Sequence, residues 1–158
     1  LAIVKSDVPV YETLQRTFGE WNLCFDHFII NKIKSARKEK LPNETGGVLI
    51  GSFDMSRKII YIVDTILSPP DSIEKPASYE RGRDGLKEKL NKIEETTLGN
   101  LSYIGEWHSH PSGCGSVPSA EDVGVFAWLL EIMSIVGLPP LMLISGDQGE
   151  SWHVEQIT

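Results

Sequence analysis

Residues 101–111 read LSYIGEWHSHP, and this stretch decides the fold. Its first eight residues are rich in aromatic and β-branched side chains, which predicts a strand. Because side chains alternate between the two faces of a strand, His108 and His110 point the same way, roughly 7 Å apart along the chain. Pro111 has no N–H to donate to a neighbouring strand and predicts the end of this one. Trp107 faces the opposite way, and we expect it in the core.

Two imidazoles on one face at the end of a strand can hold a single metal ion. A turn-rich loop over residues 109–118 follows, and Ser119 opens a helix whose first turn contains Asp122. Two histidines and one carboxylate supply three ligands and leave a fourth position for water, as in catalytic zinc sites. Ser119 and Asp122 also have the spacing of a helix-capping arrangement, and the two uses are compatible.

A zinc-bound water needs a base that accepts its proton. Glu106 shares the strand face of His108 and His110, one pair further back, where we expect it to be buried and able to support the histidines. Glu44 stands just before the diglycine strand of residues 46–51. The residues alone leave the choice between the two acids open.

Outward from this segment, strands and helices alternate. We expect residues 1–20 to be an N-terminal extension or linker, or to hold a strand around residues 8–11, and residues 21–158 to form one domain. The further predicted elements are a helix over 23–40 capped by Asp26, a hairpin of 46–51 with 58–63, an irregular loop over 68–80, a helix from Leu86 closing at Gly99, a helix from Ser119 that is apolar nearly all round and therefore buried, and strands over 141–145 and 152–157 joined by the turn 146–149. Together they predict a mixed α/β domain, a single mixed sheet flanked by helices.

The composition of the 158 residues narrows the class of protein. The hydrophobic share of 41% and charged share of 23% are those of a globular domain. A net charge of −7 disfavours non-specific nucleic-acid binding. Residues 32–40 do carry five basic residues and one acid. We interpret them as a solvated helix face with cations near its C-terminal dipole, in preference to a nucleic-acid patch.

The cysteine content and the lengths of the apolar segments indicate the cellular compartment of the protein. Cys24 and Cys114 are too few for a disulfide framework and indicate a reducing compartment, so we expect a cytoplasmic protein. No apolar segment reaches the roughly 20 residues that a bilayer span needs, and we expect no membrane partner. The chain begins without Met, which hints at an excised piece of a longer protein.

As a set, these residues resemble the JAMM metalloproteases, also called MPN-plus or JAB domains. Their pattern is a distant Glu, then His-x-His-Pro, a short loop and Ser-x-x-Asp. Here it stands as Glu44, as His108-Ser109-His110-Pro111 and as Ser119-Ala120-Glu121-Asp122. The resemblance covers about residues 23–157 and implies a JAMM/MPN-type, cytidine-deaminase-like fold.

The resemblance also implies roles. One Zn²⁺ per chain would be held by His108, His110 and Asp122. Glu44 would be the general acid/base, chosen over Glu106 by resemblance alone, and Ser119 would donate a hydrogen bond to the oxyanion. Seven residues, 112–118, separate Pro111 from Ser119 where the family pattern has six. We expect Cys114 in this loop not to bind the metal, since a fourth protein ligand would close the open position.

The implied activity is that of a zinc-dependent isopeptidase or peptidase. It would hydrolyse the bond after the C-terminus of ubiquitin or a ubiquitin-like protein, in deconjugation or precursor processing, with residues 68–80 bordering the groove for the tail. The motifs are most similar to the bacterial branch, whose partners include ubiquitin-activating and conjugating (E1/E2-like) proteins and antiphage operons. The alternatives are a non-catalytic MPN-type scaffold, which the complete ligand set disfavours, a RadC-like DNA-associated protein, which the net charge disfavours, and a peptidase for small substrates.

Overall fold

In the computed structural model, which describes residues 13–155, a seven-stranded sheet separates one helix from two others. The elements in chain order are β1 (Thr13–Phe18), β2 (Trp21–Asp26), α1 (His27–Lys40), β3 (Gly46–Asp54), β4 (Ile59–Leu67), β5 (Ile73–Lys75), β6 (Ser78–Glu80), α2 (Leu86–Thr96), β7 (Ser102–Ser109), α3 (Ala120–Ile135), β8 (Leu141–Gly146) and β9 (Gly149–Val154). The sheet order is β1-β2-β4-β3-β7-β8-β9, and β5 and β6 form a separate hairpin. The predicted mixed α/β domain is confirmed.

Strand β7 lies inside the sheet, antiparallel to β3 and parallel to β8. Trp107 opposes Gly47 and Leu143, faces α1 and is 1% exposed. Its indole Nε1 donates to Thr65 Oγ1 at 2.7 Å, so the one polar atom of this side chain is satisfied. The prediction that Trp107 belongs to the core is confirmed. His108, on the other face, opposes Gly46 and Ile144.

Helix α1 begins four residues later than the sequence predicted. Residues 21–26 form β2, with Trp21, Leu23 and Phe25 buried, an alternation of period two that belongs to a strand. Asp26 is the N-cap, as predicted, and its carboxylate accepts from the Phe28 and Ile29 N–H groups at 2.7 and 3.3 Å. The helix buries a set of aliphatic side chains (Ile29, Ile30, Ile33, Ala36) against the sheet. Each fully buried isoleucine contributes about 1.5–3 kcal/mol.

The basic run of α1 is mostly paired. Its cations Lys32, Lys34, Arg37 and Lys40 form ion pairs with Asp64, Glu150, Asp147 and Glu74. The acids come from four different parts of the fold, so the run joins α1 to its surroundings. It is not a free cationic patch of the kind that binds a phosphate backbone.

Three boundary predictions need correction. Residues 68–80 are not wholly irregular, because β5 and β6 pair within them; three-residue strands are too short to give a periodic pattern. Strand β9 begins at Gly149, three residues before the predicted start, and the described part of it ends at Val154. Helix α2 ends at Thr96, although Gly99 does take the left-handed conformation that terminates the segment.

The proposed strand around residues 8–11 lies outside the described residues, while β1 pairs along its length with β2.

Helix α3 is not buried all round, contrary to prediction. Its Phe126 and Leu129 pack with Met142 and Ile144 of β8, and Met133 is also buried, but Val123, Trp128 and Leu130 are 42–48% exposed. A sheet buries only the side of a helix that faces it, so an apolar sequence does not ensure burial of the other side. Within residues 13–155 no helix is both long and apolar enough to cross a bilayer.

We expect Gly46→Ala to destabilise the domain by about 1–3 kcal/mol, because the added methyl group would overpack the site. A Cβ at Gly46 would lie 2.3 Å from Tyr79 Cε1 and 2.5 Å from the Trp107 carbonyl oxygen. Gly124→Ala in α3 is the matched control, since nothing lies within 4 Å of its added Cβ. It should stabilise by roughly 0.5–1 kcal/mol. Urea unfolding of both variants measures the difference, and equal shifts would contradict the described packing.

Candidate metal centre

Three side chains meet where β7 ends and α3 begins. His108, His110 and Asp122 are all buried, and their ligand atoms lie within 4.8 Å of one another. His110 extends the strand alignment, since its N–H donates to the Ser145 carbonyl of β8 at 2.9 Å. Asp122 comes from the first turn of α3, so a strand end and a helix start form the cluster. The structure therefore brings together the three residues that the sequence predicted as ligands.

The tautomer of His110 shows what this cluster can hold. Its Nδ1 lies 2.7 Å from the Gly115 carbonyl oxygen, an acceptor, so Nδ1 carries the proton. In the neutral ring, Nε2 then presents a lone pair to Asp122 Oδ2 at 3.0 Å. Asp122 Oδ1 lies against His108 Nε2. Acceptors this close need a cation among them, either protons on the rings or one metal ion with N and O ligands, and this donor set fits Zn²⁺.

The charges of the cluster agree with that need. Burial opposes ionisation of Asp122, but hydrogen bonds from His108 and His110 hold the pKa of its carboxyl far below the usual range. The hydrogen bond to Asp122 in turn raises the pKa of His110, against the effect of burial. Both directions agree with an ionised carboxylate that has a cation, either a ring proton or a metal ion, between it and the histidines.

Glu44 reaches this cluster through the pairing of β3 with β7. Gly46 opposes His108, and the Ser109 N–H donates to the Thr45 carbonyl at 2.7 Å, so the alignment continues past the end of β3. Glu44 therefore falls opposite His110, on the same face. Its own N–H donates to the Lys75 carbonyl at 2.9 Å, which holds this turn of the backbone. Burial raises the pKa of the Glu44 carboxyl, with His108 and His110 opposing the rise.

Glu106 is buried, as predicted, but it serves another partner. Arg81 Nε donates to both of its oxygens, at 3.1 and 2.9 Å, and the Tyr103 hydroxyl donates to Oε1 at 2.9 Å. Among the described residues it makes no hydrogen bond to His108 or His110. The expectation that it supports the histidines directly is therefore not met, because its carboxylate accepts hydrogen bonds from Arg81 and Tyr103 instead.

A cavity of about 390 Å³ opens over the cluster. Glu44, His108 and Asp122 line it together with Glu106 and Arg81, and its outer wall comes from β6 and α3 (Tyr79, Glu80, Glu121, Val125, Trp128). Five acidic residues and one arginine line the cavity, and Val125 and Trp128 add apolar surface. Its volume falls within the range of ligand-binding clefts.

Residues 29–155 match the family described as prokaryotic homologs of the JAB domain, which is more than half of the chain. The chain belongs to this family. Two curated relatives, each named "CD-NTase/cGAS isopeptidase", are similar to this JAB domain. One, from Enterobacter hormaechei, is 36% identical over 104 residues, 66% of this chain and 56% of the relative. The other, from Escherichia coli, is 26% identical over 132 residues, 82% of this chain and 78% of the relative. The chain thus spans just over half the length of the first.

Solved structures with similar folds include a JAB1/MPN domain protein from Archaeoglobus fulgidus, with 18% identity and a TM-score of 0.46 over 80% of this chain and 84% of that one. A Desulfitobacterium hafniense protein solved in solution has 16% identity and a TM-score of 0.48 over 82% and 88%.

Ser119 of this JAB domain is the N-cap of α3. Its hydroxyl oxygen accepts from the Asp122 N–H at 3.2 Å, and its own N–H donates to Asp122 Oδ2 at 2.5 Å, which completes a capping box. The predicted capping arrangement is confirmed. A hydroxyl that accepts one hydrogen bond keeps its proton to donate elsewhere, so the cap leaves a second use of Ser119 open.

The loop that carries Gly115 is held from outside the cluster by Arg37 and Asp147. The Arg37 guanidinium donates to the carbonyls of His110 and Pro111 at 2.8 and 3.1 Å and to Asp147 at 2.5 Å. Asp147 accepts from the Gly113 N–H, and its own N–H donates to the Cys114 carbonyl at 3.0 Å. Through these contacts the arginine fixes the loop whose Gly115 carbonyl sets the His110 tautomer.

We expect Arg37→Met to lower zinc affinity by about 10–100-fold, the usual cost of losing a group that orients a metal ligand. The methionine keeps the length of the side chain but cannot hold the loop carbonyls. Lys38→Met is the matched control, because Lys38 is exposed and makes no ion pair within residues 13–155. Competition with a chromophoric chelator measures both affinities. An unchanged affinity in Arg37→Met would show that the ring of His110 is held without the loop.

Sequence reasoning missed Arg37, Asp147 and Arg81, because no local motif marks them. Asp147 lies in the predicted turn between the last two strands, and its place in the sequence does not indicate that this turn contacts the ligand loop. Cys114 is exposed and does not belong to the buried cluster of ligand atoms.

Proposed function

We propose that the chain is a zinc-dependent isopeptidase, which hydrolyses the amide bond between the C-terminal carboxyl of a tail and a lysine amine. The observation that supports this most is that Glu44 lines the same cavity as His108 and Asp122. Zn²⁺ is the metal we assign to His108, His110 and Asp122, at one ion per chain. When bound there it acts as a Lewis acid on the scissile carbonyl and lowers the pKa of water.

Glu44 carries the proton in this proposal. Its carboxylate accepts a proton from the attacking water as the water oxygen bonds to the carbonyl carbon. It then delivers that proton to the lysine nitrogen as the carbon–nitrogen bond breaks, which leaves a carboxylic acid and a free amine, and the acid then loses its proton to the amine or to solvent. The raised pKa of Glu44 suits both steps, since the group must accept the proton and also give it up. Its N–H donates to the Lys75 carbonyl, and Ser109 holds the neighbouring Thr45, so the backbone at Glu44 is fixed on both sides.

Ser119 is the residue we assign to the oxyanion. Its hydroxyl sits at the N-terminus of α3, where unpaired backbone N–H groups favour negative charge. The proton that the cap leaves free would be donated to the oxygen of the tetrahedral intermediate. This role adds to the cap and does not replace it.

The tail of the substrate would lie along β6. This short strand pairs on one side with β5, and Tyr79, Glu80 and Arg81 at its end line the cavity. An extended tail can add to such an edge through main-chain hydrogen bonds. Tyr79 lies close over Gly46, and we propose that the tail carries small residues near the scissile bond.

The substrates we propose are conjugates of a ubiquitin-like protein or of a CD-NTase/cGAS-type protein, the latter from the names of the two relatives. E1/E2-like proteins encoded nearby, a role in antiphage defence and a cytoplasmic location belong to the same proposal. The complete ligand set, together with Glu44 in the same cavity, favours an enzyme over a scaffold. The paired basic run of α1 gives no support to a DNA-associated role.

The test is cleavage of defined amides by the zinc-loaded chain. The substrates are ubiquitin joined to a lysine Nε, a CD-NTase C-terminal tail joined to a lysine Nε, and the same tail fused linearly to a peptide. Mass spectrometry should find a free tail carboxylate and a free lysine amine from at least one isopeptide substrate. A chain that holds zinc yet releases no amine from any of the three would count against the isopeptidase proposal and favour the scaffold.

A further inference from the structure

Arg81 is a charged residue in the cavity that the proposed reaction does not use. It follows β6 directly, and its side chain is 19% exposed. Nε donates to both carboxylate oxygens of Glu106, and Nη1 donates to the Gly82 carbonyl at 3.0 Å. Its Nη2 makes no hydrogen bond to another residue within 13–155. This guanidinium is mostly buried and lies on the cavity wall, so its unused N–H groups can donate hydrogen bonds to a ligand in the cavity.

Glu106 makes this arginine rigid. Its carboxylate receives Arg81 and the Tyr103 hydroxyl and is itself 6% exposed. The net charge of the pair is therefore close to zero, and Glu106 and Tyr103, both on β7, fix its geometry. An arginine held in this way loses little side-chain entropy when a ligand binds to its free edge.

The position of the pair relates Arg81 to the metal cluster. Glu106 and His108 lie on the same face of β7, two residues and so roughly 7 Å apart. An extended peptide advances about 3.3 Å per residue. A tail that runs from β6 toward the cluster, with its scissile carbonyl at His108 and Asp122, would pass Arg81 about two residues earlier.

We infer that Arg81 binds the substrate tail, by donating from Nη2 to a main-chain carbonyl oxygen about two residues before the scissile bond. This inference rests on the proposed function. It makes Arg81 the group that selects substrates with an extended tail over short acyl groups, and it gives the buried Glu106 the task of holding Arg81. Glu106 is then a positioning residue, although it lies nearer in sequence to the histidines than Glu44 does.

A structural role for the pair is the alternative, and it sets the choice of variants. Arg81→Gln alone would leave Glu106 buried without its cation, which destabilises for reasons unrelated to substrate. The double variant Arg81→Gln with Glu106→Gln removes both charges and keeps polar partners of similar size. Arg83→Gln is the matched control, since Arg83 does not line the cavity. Arg81→Lys keeps the charge but loses the planar fork.

Two substrates separate binding from chemistry. One has a tail of about six residues and the other a single glycyl group, each joined to a lysine Nε. For the long substrate, the double variant should raise KM about tenfold or more with kcat within about threefold, the usual range for losing a hydrogen bond to a charged group. For the glycyl substrate, kcat/KM should stay within about twofold of wild type. The long tail peptide should likewise bind more weakly when the double variant is placed in Glu44→Gln, as fluorescence anisotropy measures without turnover.

The outcomes are distinct. An unchanged KM for the long substrate, or equal losses for both substrates, would overturn the role of Arg81 while the proposed function stands. If the double variant does not fold, Arg81→Lys decides, because it should raise KM for the long substrate only. Wild-type chain that cleaves neither substrate would overturn the proposed function and this inference with it.

Discussion

Glu44→Gln should lower isopeptide turnover by roughly 10²–10⁴-fold, the usual contribution of a positioned general base. The amide has the size of the carboxylate and can keep its place between β5 and β7, but it cannot accept a proton. Because Glu44 is not one of the three clustered ligands, the variant should still bind zinc. Its thermal unfolding midpoint should stay close to that of wild type, since the change is nearly isosteric.

The measurement combines kcat at saturating substrate, zinc content by mass spectrometry and thermal unfolding. Glu39→Gln is the matched control, an exposed glutamate of α1 far from the cavity lining. Turnover at the wild-type rate in Glu44→Gln would show that another group takes the proton. Lost turnover together with lost zinc would instead place Glu44 among the groups that hold the metal.

Asp122→Asn should lower zinc affinity by at least about 100-fold, more than the loss of an orienting group usually costs. Asp122 contacts both histidines, and its carboxylate is the one anionic ligand among the three. The asparagine keeps an oxygen for the Ser119 N–H, so the cap of α3 should persist and the fold should survive. Turnover should fall in step with bound zinc.

Chelator competition measures this affinity, with Asp84→Asn as the matched control at an exposed aspartate of the loop before α2. Zinc bound by Asp122→Asn as tightly as by wild type would remove Asp122 from the ligand set. Restoration of activity by excess zinc would support the assignment, because it would separate lost affinity from lost catalysis.

The ligands could be predicted because their geometry is local. The period of two along a strand places His108 and His110 on one face, and a helix start places Asp122 in the first turn, whatever the rest of the chain does. The Asp26 cap and the β3–β4 hairpin were accessible for the same reason. Each depends on residues a few positions apart.

The remaining site residues depend on pairings that the sequence does not encode locally. Glu44 joins the cluster only because β3 pairs with β7 in a register that sets Gly46 opposite His108. Arg81 and Glu106 are 25 residues apart, and Arg37 and Asp147 are 110 apart. Composition and periodicity give no information about such contacts, and a resemblance was needed to choose Glu44 over Glu106.

The misassigned elements have a similar origin. Phe25 fits both the helical spacing of α1 and the alternation of β2, and the sheet decides in favour of the strand because β1 and β4 pair on either side. The apolar residues of α3 indicate burial, but among residues 13–155 only the face toward β8 packs in a core cluster. In both cases tertiary contacts, which no local pattern contains, set the outcome.

The most direct test of the central claim is a zinc titration of the metal-free chain, with isopeptide cleavage measured at each step. Chelation should abolish cleavage, and activity should return in proportion to added zinc and level off at about one ion per chain, as expected for a three-ligand catalytic site. Full activity in the metal-free chain would contradict the account. So would activity that needs His108, His110 and Asp122 intact but does not respond to zinc or any other divalent ion.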